Sequence, residues 1–438
     1  MRNINSMKTN PLKTNLLKTN RLPALLLVLI VFGLLCNLSC IKTGLRGFEK
    51  NLLNDVEKFN RDYGSKGVTI KNRKIEWTEG FVCSDLILKN SLIKNVELQM
   101  VDIRNLYVEN SIIENVSISV KSNLSGSVFK NVKFKNFKSV NNYDMPSKLR
   151  DSIFIDCEFI NCEYAYVTIG KEYRNCKFNK IKEENVSYYD TVVTDSIFTN
   201  CKINSIYYDA RFENVIFKNS TIIESGFHLK EGENIQFIKC FTDFSVTGKV
   251  EDILIQNSKP DEQAQMLFRG DMKNIVVKDC FRPHATVFEF NEGTFSNISI
   301  INCKAPVVRF FKANLRNLLI IDSIVQQLTF AKSDVSGYNK MENSEIRGNL
   351  YRDSKIRDLA ITNCRFKFYV DILFSELTRL KLNNNIYESQ TSEHRRYPGE
   401  VRHAVKGEKY IDSDKFPLKA THFPENSPYL REYNKKAK

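Results

Sequence analysis

The chain has 438 residues, 42% of them hydrophobic, with 65 Lys and Arg against 51 Asp and Glu. That apolar share supports a sizeable core and excludes a wholly disordered chain. The length implies several domains unless one elongated repeat body takes most of it.

The first segment reads as an export leader. Arg2, Lys8, Lys13, Lys18 and Arg21 form a basic start with no acid in residues 1–39, and Ala24–Leu35 is a twelve-residue apolar run. Twelve residues suit a signal peptide and fall short of the roughly 20 needed to span a bilayer. The run ends in Asn37-Leu38-Ser39-Cys40. Ser39-Cys40 resembles the lipobox of bacterial lipoproteins, where a small residue precedes a Cys that is cleaved and acylated. Asn37 departs from the Leu usual at its place. The resemblance implies a signal peptide over 1–39, a fatty acid such as palmitate on Cys40, and a membrane partner through that lipid. Ile41 stands where Asp retains lipoproteins at the inner membrane of enteric bacteria, so the implied location is the outer membrane. Without the leader, 60 Lys and Arg face 51 acids, a net +9 of singly scattered charge. No basic run marks a nucleic-acid partner.

Residues 40–74 read as an amphipathic helix and cap. Leu45, Phe48, Leu52, Val56, Phe59 and Tyr63 share one helical face, and Gly64 is a natural stop. That face is expected to cover the open end of whatever follows.

From about residue 75 to 388 the period changes to five. Leu88, Ile93, Leu98, Ile103, Val108, Ile113 and Ile118 keep an unbroken step, each preceded two places earlier by a small or apolar residue. A helix would rotate this stripe around its surface and a flat strand would flip it at every step. A chain that turns a corner every five residues keeps it on one side. The step recurs at Phe154, Phe159 and Tyr164, and at Phe212, Phe217, Ile222 and Phe227.

A longer period overlies the short one. Asn or Asp before a small or apolar residue recurs at Asn95, Asn115, Asn131, Asp151, Asn175, Asp195, Asn214, Asn234, Asp252, Asn274, Asn297, Asn317 and Asp358, with a weak copy near Tyr338. Most copies lie about twenty residues apart, and four fives make twenty. Lys239-Cys240, Asp279-Cys280, Asn302-Cys303, Asp322-Ser323 and Asn363-Cys364 close later copies. This pattern resembles the pentapeptide-repeat proteins. The resemblance implies an all-β fold, a right-handed parallel β-helix with four sides per coil. Beyond residue 235 clean fives are rare, which predicts a looser second half and leaves a three-sided coil open. The expectation is Phe and Leu in interior columns and Asn at corners, its amide bonding backbone groups of the next turn. A Cys trading places with Ser implies small buried thiols rather than disulfides or a metal site.

Residues 389–438 read as an irregular basic tail, with 11 Lys and Arg against 7 acids. Tyr397, Phe416, Phe423 and Tyr429 are its candidates for packing along the rod.

No catalytic, cofactor-binding or metal constellation emerges. His228 and His284 are isolated, and Asp209 with Arg211 or Asp271 with Arg269 read as surface pairs. Tyr188-Tyr189, Tyr207-Tyr208 and Phe310-Phe311 are each expected to send one ring outward. The expected function is a non-enzymatic envelope solenoid offering a binding or structural surface to protein or polysaccharide. The alternative is a polysaccharide-binding or polysaccharide-cleaving β-helix.

Overall fold

The computed structural model describes most of residues 65–387, strand Lys409–Tyr410, and four helical positions at 56, 57, 60 and 61. The leader with Cys40, residues 388–408 and 411–438, and short stretches including 141–147, 261–264 and 282–286 lie outside the described residues.

The described chain is a parallel β-solenoid. Every strand pairing is parallel, and almost all strands join one 36-stranded sheet. One register column runs Ile70, Ile93, Ile113, Phe134, Phe159, Phe178, Phe198, Phe217, Phe237, Ile255, Val277, Ile300, Ile320, Met341, Ile361, Leu382. At about 4.8 Å per coil this is a rod roughly 70 Å long.

The corners explain the Asn content. Of 41 non-glycine residues with positive φ among the described residues, 34 are Asn or Asp. Their φ values are those of the left-handed region, which costs these two residues least. Three corner columns run the length of the rod. Corner A includes Asp190 and Asp209, corner B Asp195 and Asn214, and corner C Asn200 and Asn219. The long-period residues of the sequence fall mostly at corner B; Asn95 and Asn115 belong to corner C and Asp151 to corner A. Against expectation, their amides chiefly bond one another rather than backbone groups of the next turn. Stacking sets each side chain above its equivalent, so Nδ2 donates to the Oδ1 of the neighbouring coil. Examples are Asn115 to Asn95 at 2.8 Å, Asn297 to Asn274 at 2.7 Å and Asn317 to Asn297 at 2.8 Å.

The second half is less loose than its sequence suggests. The five-residue step persists between corners B and C, as at Asn297 and Asn302 or Asp358 and Asn363. A fourth left-handed corner occurs at Asn185 and Glu224, and none is found beyond Glu224 among the described residues. Coil length varies on that stretch between corners C and A, which holds the omitted segments 141–147, 261–264 and 282–286. Pro260 lies there too, in the short strand Lys259–Pro260.

The interior is aromatic. Phe134, Phe159, Phe178, Phe198, Phe217 and Phe237 stack with centroids 4.2–5.1 Å apart. Ile103, Ile113, Phe159 and Phe217 are buried as expected, as are Val96 and Val116, and Leu98 packs partly buried against them. The nine cysteines from Cys83 onward are buried and in thiol form, with no disulfide among them. Ser and Cys follow the corner residue and make the same contacts. The Ser220 hydroxyl donates to Lys218 O and Phe198 O, and the Cys201 thiol donates to Thr199 O and Phe178 O. Each bonds the carbonyl two residues back and one in the preceding coil, which is why either serves.

At the N-terminal end, Val56 is buried in the core cluster and Asn60 reaches the first coils. Its Nδ2 donates to Asp85 O at 2.7 Å, and its Oδ1 accepts from Ile87 N at 2.9 Å. The rest of the expected helix over 45–63 lies outside the described residues.

Candidate binding surface

Corner A carries the most distinctive outer surface, and its shape starts from glycine. Gly248, Gly270 and Gly293 are register neighbours, followed by Ala313. Gly248 and Gly270 have φ of +118° and +110°, and a Cβ on Gly248 would stand 1.7 Å from Leu229 O. No other residue fits such a conformation and approach. The sequence reading missed this column. Its signal was three glycines 22 and 23 residues apart in a Gly-poor chain.

Beside this column an open groove of about 530 Å³ lies on the side between corners A and B. Arg211, Glu231, Lys249 and Asp271 line it from one outward column, and Glu213, Glu233, Glu251 and Lys273 from the next. Phe212, Val250 and Met272 form its apolar base. Arg211 meets Glu213 at 3.4 Å and Glu231 at 4.0 Å, and Lys273 pairs with Glu251. These pairs are well exposed, so solvent screening leaves each with little weight in stability. Glu213, Glu233 and Glu251 follow one another in register over three coils.

Of the charge pairs suggested by sequence, Asp209 sits at the corner while Arg211 turns to Glu213 and Glu231. Arg269 faces Glu292 at 3.8 Å on one side of corner A, and Asp271 lines the groove on the other. His284 lies outside the described residues.

Across the corner, the alternation holds. Tyr188 and Tyr207 are buried, while Tyr189 and Tyr208 are 51% and 36% exposed. Tyr189 stacks on Tyr208 at 5.0 Å, and Tyr208 on His228 at 5.6 Å. His228 Nδ1 lies 2.8 Å from Thr247 Oγ1. Stacking covers the inner ring faces, so this row offers edges, hydroxyls and an imidazole. Phe310 is buried and Phe311 half-buried under the Lys312 ammonium.

Beneath the row lies Glu183, buried inside the rod. It accepts hydrogen bonds from the Tyr188 hydroxyl at 2.6 Å and the Ser205 hydroxyl at 2.5 Å. Burial pushes its carboxyl up, and the two hydrogen bonds oppose that only in part. Among the described residues no cluster of three or more His, Cys, Asp and Glu is placed to hold a metal ion. No helix among them is long and apolar enough to cross a membrane.

No protein-family model matches the chain, and no curated protein sequence does. Several solved structures show weak likeness. HetL, a pentapeptide repeat protein from the cyanobacterium Nostoc, is 7% identical with a TM-score of 0.16, covering 58% of this chain and 87% of its own. A mutant tailspike protein of E. coli bacteriophage HK620, in complex with a hexasaccharide, is 13% identical with a TM-score of 0.28, covering 82% and 77%. PfbA, a surface adhesin of Streptococcus pneumoniae, is 9% identical with a TM-score of 0.23, covering 81% and 92%. The fold described above rests on the coil register rather than on these likenesses.

Proposed function

We propose that this chain is a non-enzymatic, lipid-anchored solenoid of the bacterial cell envelope whose corner A surface binds envelope polysaccharide. The reading is carried by the outward row Tyr189–Tyr208–His228 beside the charged groove. A row of equivalent polar edges, repeated once per coil, suits a ligand with its own linear repeat. The charges of both signs in the groove suit a hydroxyl-rich or charged chain better than an apolar small molecule. The rigid interior holds these groups in place before binding, which lowers the cost of ordering them.

Binding of purified envelope glycans to the full chain tests the reading. Tyr189→Ala with Tyr208→Ala should weaken it at least tenfold, about 1.4 kcal/mol. A loss of less than twofold, or binding only to a protein partner, would overturn the ligand assignment. The anchor is tested separately by fatty-acid labelling in cells. The wild type should be labelled and Cys40→Ala should not; persistent labelling would overturn the anchor at Cys40.

The alternative reading is cleavage of such a polymer. Its one supporting observation is the run Glu213, Glu233 and Glu251, carboxylates about one coil apart. Turnover of a bound glycan that Glu233→Gln abolishes would favour it.

A further inference from the structure

The side between corners B and C changes character along the rod. In the early coils many of its outward residues are charged, including Lys94, Glu114 and Lys177, beside the aliphatic Ile112, Ile160 and Ile197. From Ile216 onward aliphatic residues outnumber charged ones on this side, although Lys218 and Lys278 remain among them. Among those facing outward here are six aliphatic residues: Ile216, Leu254, Val276 and Leu319 in one column, with Gln236 and Ser299 between them, and Ile301 and Ile321 in the other, beyond Gln256 and Lys278. All six are partly exposed. Their strand neighbours Phe217, Ile255, Val277, Ile300 and Ile320 are buried inside. These strands are therefore apolar on the inner face and partly aliphatic on the outer one, which approaches the pattern of a sheet covered on both sides. Charge returns at Lys340 and Glu342.

We propose that residues 411–438 of this chain cover this face, running from Ile321 back toward Ile216. Three observations favour that occupant. Tyr410 pairs with Tyr387 just past corner C at the rod's end, so the following residues start beside this face. The distance is within reach: eight coils from Leu382 to Phe217 span about 40 Å, and 28 extended residues span roughly 90 Å. Phe416, Phe423 and Tyr429 are spaced along that segment to meet it. Size argues against a second copy. The strip is about 15 Å by 25–30 Å, so a self-paired face buries roughly 800–900 Å² in total, below the ~1,200 Å² of a stable interface. A tethered segment needs less area, because its effective concentration is on the order of millimolar.

The test is photo-crosslinking in the full chain, with a benzophenone amino acid in place of Phe423, at dilute protein and without lipid. Intramolecular crosslinks to the strip around Leu254, Val276 and Leu319 are expected. Leu254→Lys with Val276→Lys should lower that yield at least tenfold, and Thr294→Lys on the neighbouring side should not. Crosslinks to other sides, between chains, or only with anionic vesicles present would each overturn the proposal. As a second readout, Phe416→Ser, Phe423→Ser and Tyr429→Ser together should raise the fluorescence of an apolar dye several-fold while leaving far-ultraviolet circular dichroism unchanged. Unchanged fluorescence would also overturn it.

Discussion

The Tyr188 hydroxyl donates a 2.6 Å hydrogen bond to Glu183 inside the rod. Glu183 stands where neighbouring coils place Tyr164 and Ile203, so a carboxyl occupies an apolar site. Burial pushes its titration up, and the hydrogen bonds from Ser205 and Tyr188 oppose that only in part, so folding favours the neutral acid over the carboxylate. The unfolded chain ionises near pH 4.3. The stability contributed by neutral Glu183 is therefore fully present below that pH and is lost as pH rises toward the folded value. Glu183→Gln should remove this slope and stabilise the rod at pH 7 by about 1–3 kcal/mol. Urea unfolding at pH 4 and pH 7 checks it; a variant less stable at both would show that the carboxylate is needed.

Corner C is interrupted at Lys180, which lies between Asn161 and Asn200 in the stack and takes a φ of 57°. Lys has no short amide to bond its neighbours there. Lys180→Asn should stabilise by about 0.5–1 kcal/mol, from the left-handed preference of Asn. A rise in thermal midpoint is expected, and a fall would show that the ladder does not favour Asn at this corner.

Phe217 is fully buried between Phe198 and Phe237, at 4.8 and 5.1 Å. Phe217→Ala should cost about 3–5 kcal/mol. Because coils are stabilised by their neighbours, hydrogen exchange should rise first in the adjoining coils. Uniform exchange along the whole rod would contradict that local coupling.

The thiols of Cys162 and Cys240 are pushed up to about 11, and that of Cys201 to about 12, chiefly by burial. Since the thiolate is the reactive form, few thiols should react at pH 8 in the folded chain and at least six after unfolding. Four stable disulfides in the unfolded chain would recast the rod as covalently stapled. Cys201→Ser keeps the hydrogen bonds seen at Ser220 and should cost less than about 1.5 kcal/mol.

Gly270 has a φ of +110°, and a Cβ there would lie 2.4 Å from Gly248 O. Gly270→Ala should destabilise by more than about 2 kcal/mol. It should also weaken any ligand held in the groove, as calorimetry would show.

The five-residue step needed only the sequence, because two inward residues and one corner residue per side are set by local chain geometry. That step placed Phe159, Phe217 and Val116 inside, one ring of each pair Tyr188-Tyr189 and Tyr207-Tyr208 outside, and the cysteines at a position demanding small volume. It also contained Glu183, five residues beyond Phe178, though a lone Glu among surface-like charges gave no sign of burial. The rest depended on which coils lie next to each other. Coil lengths of 18 to 25 residues hide that register, since an insertion in one coil shifts all later spacing without moving the stack. Only the register showed that Asn amides bond one another, that Gly248, Gly270 and Gly293 adjoin, and that Glu213, Glu233 and Glu251 line one groove. The physical reason is that stacking acts between residues about twenty apart in sequence and one coil apart in space.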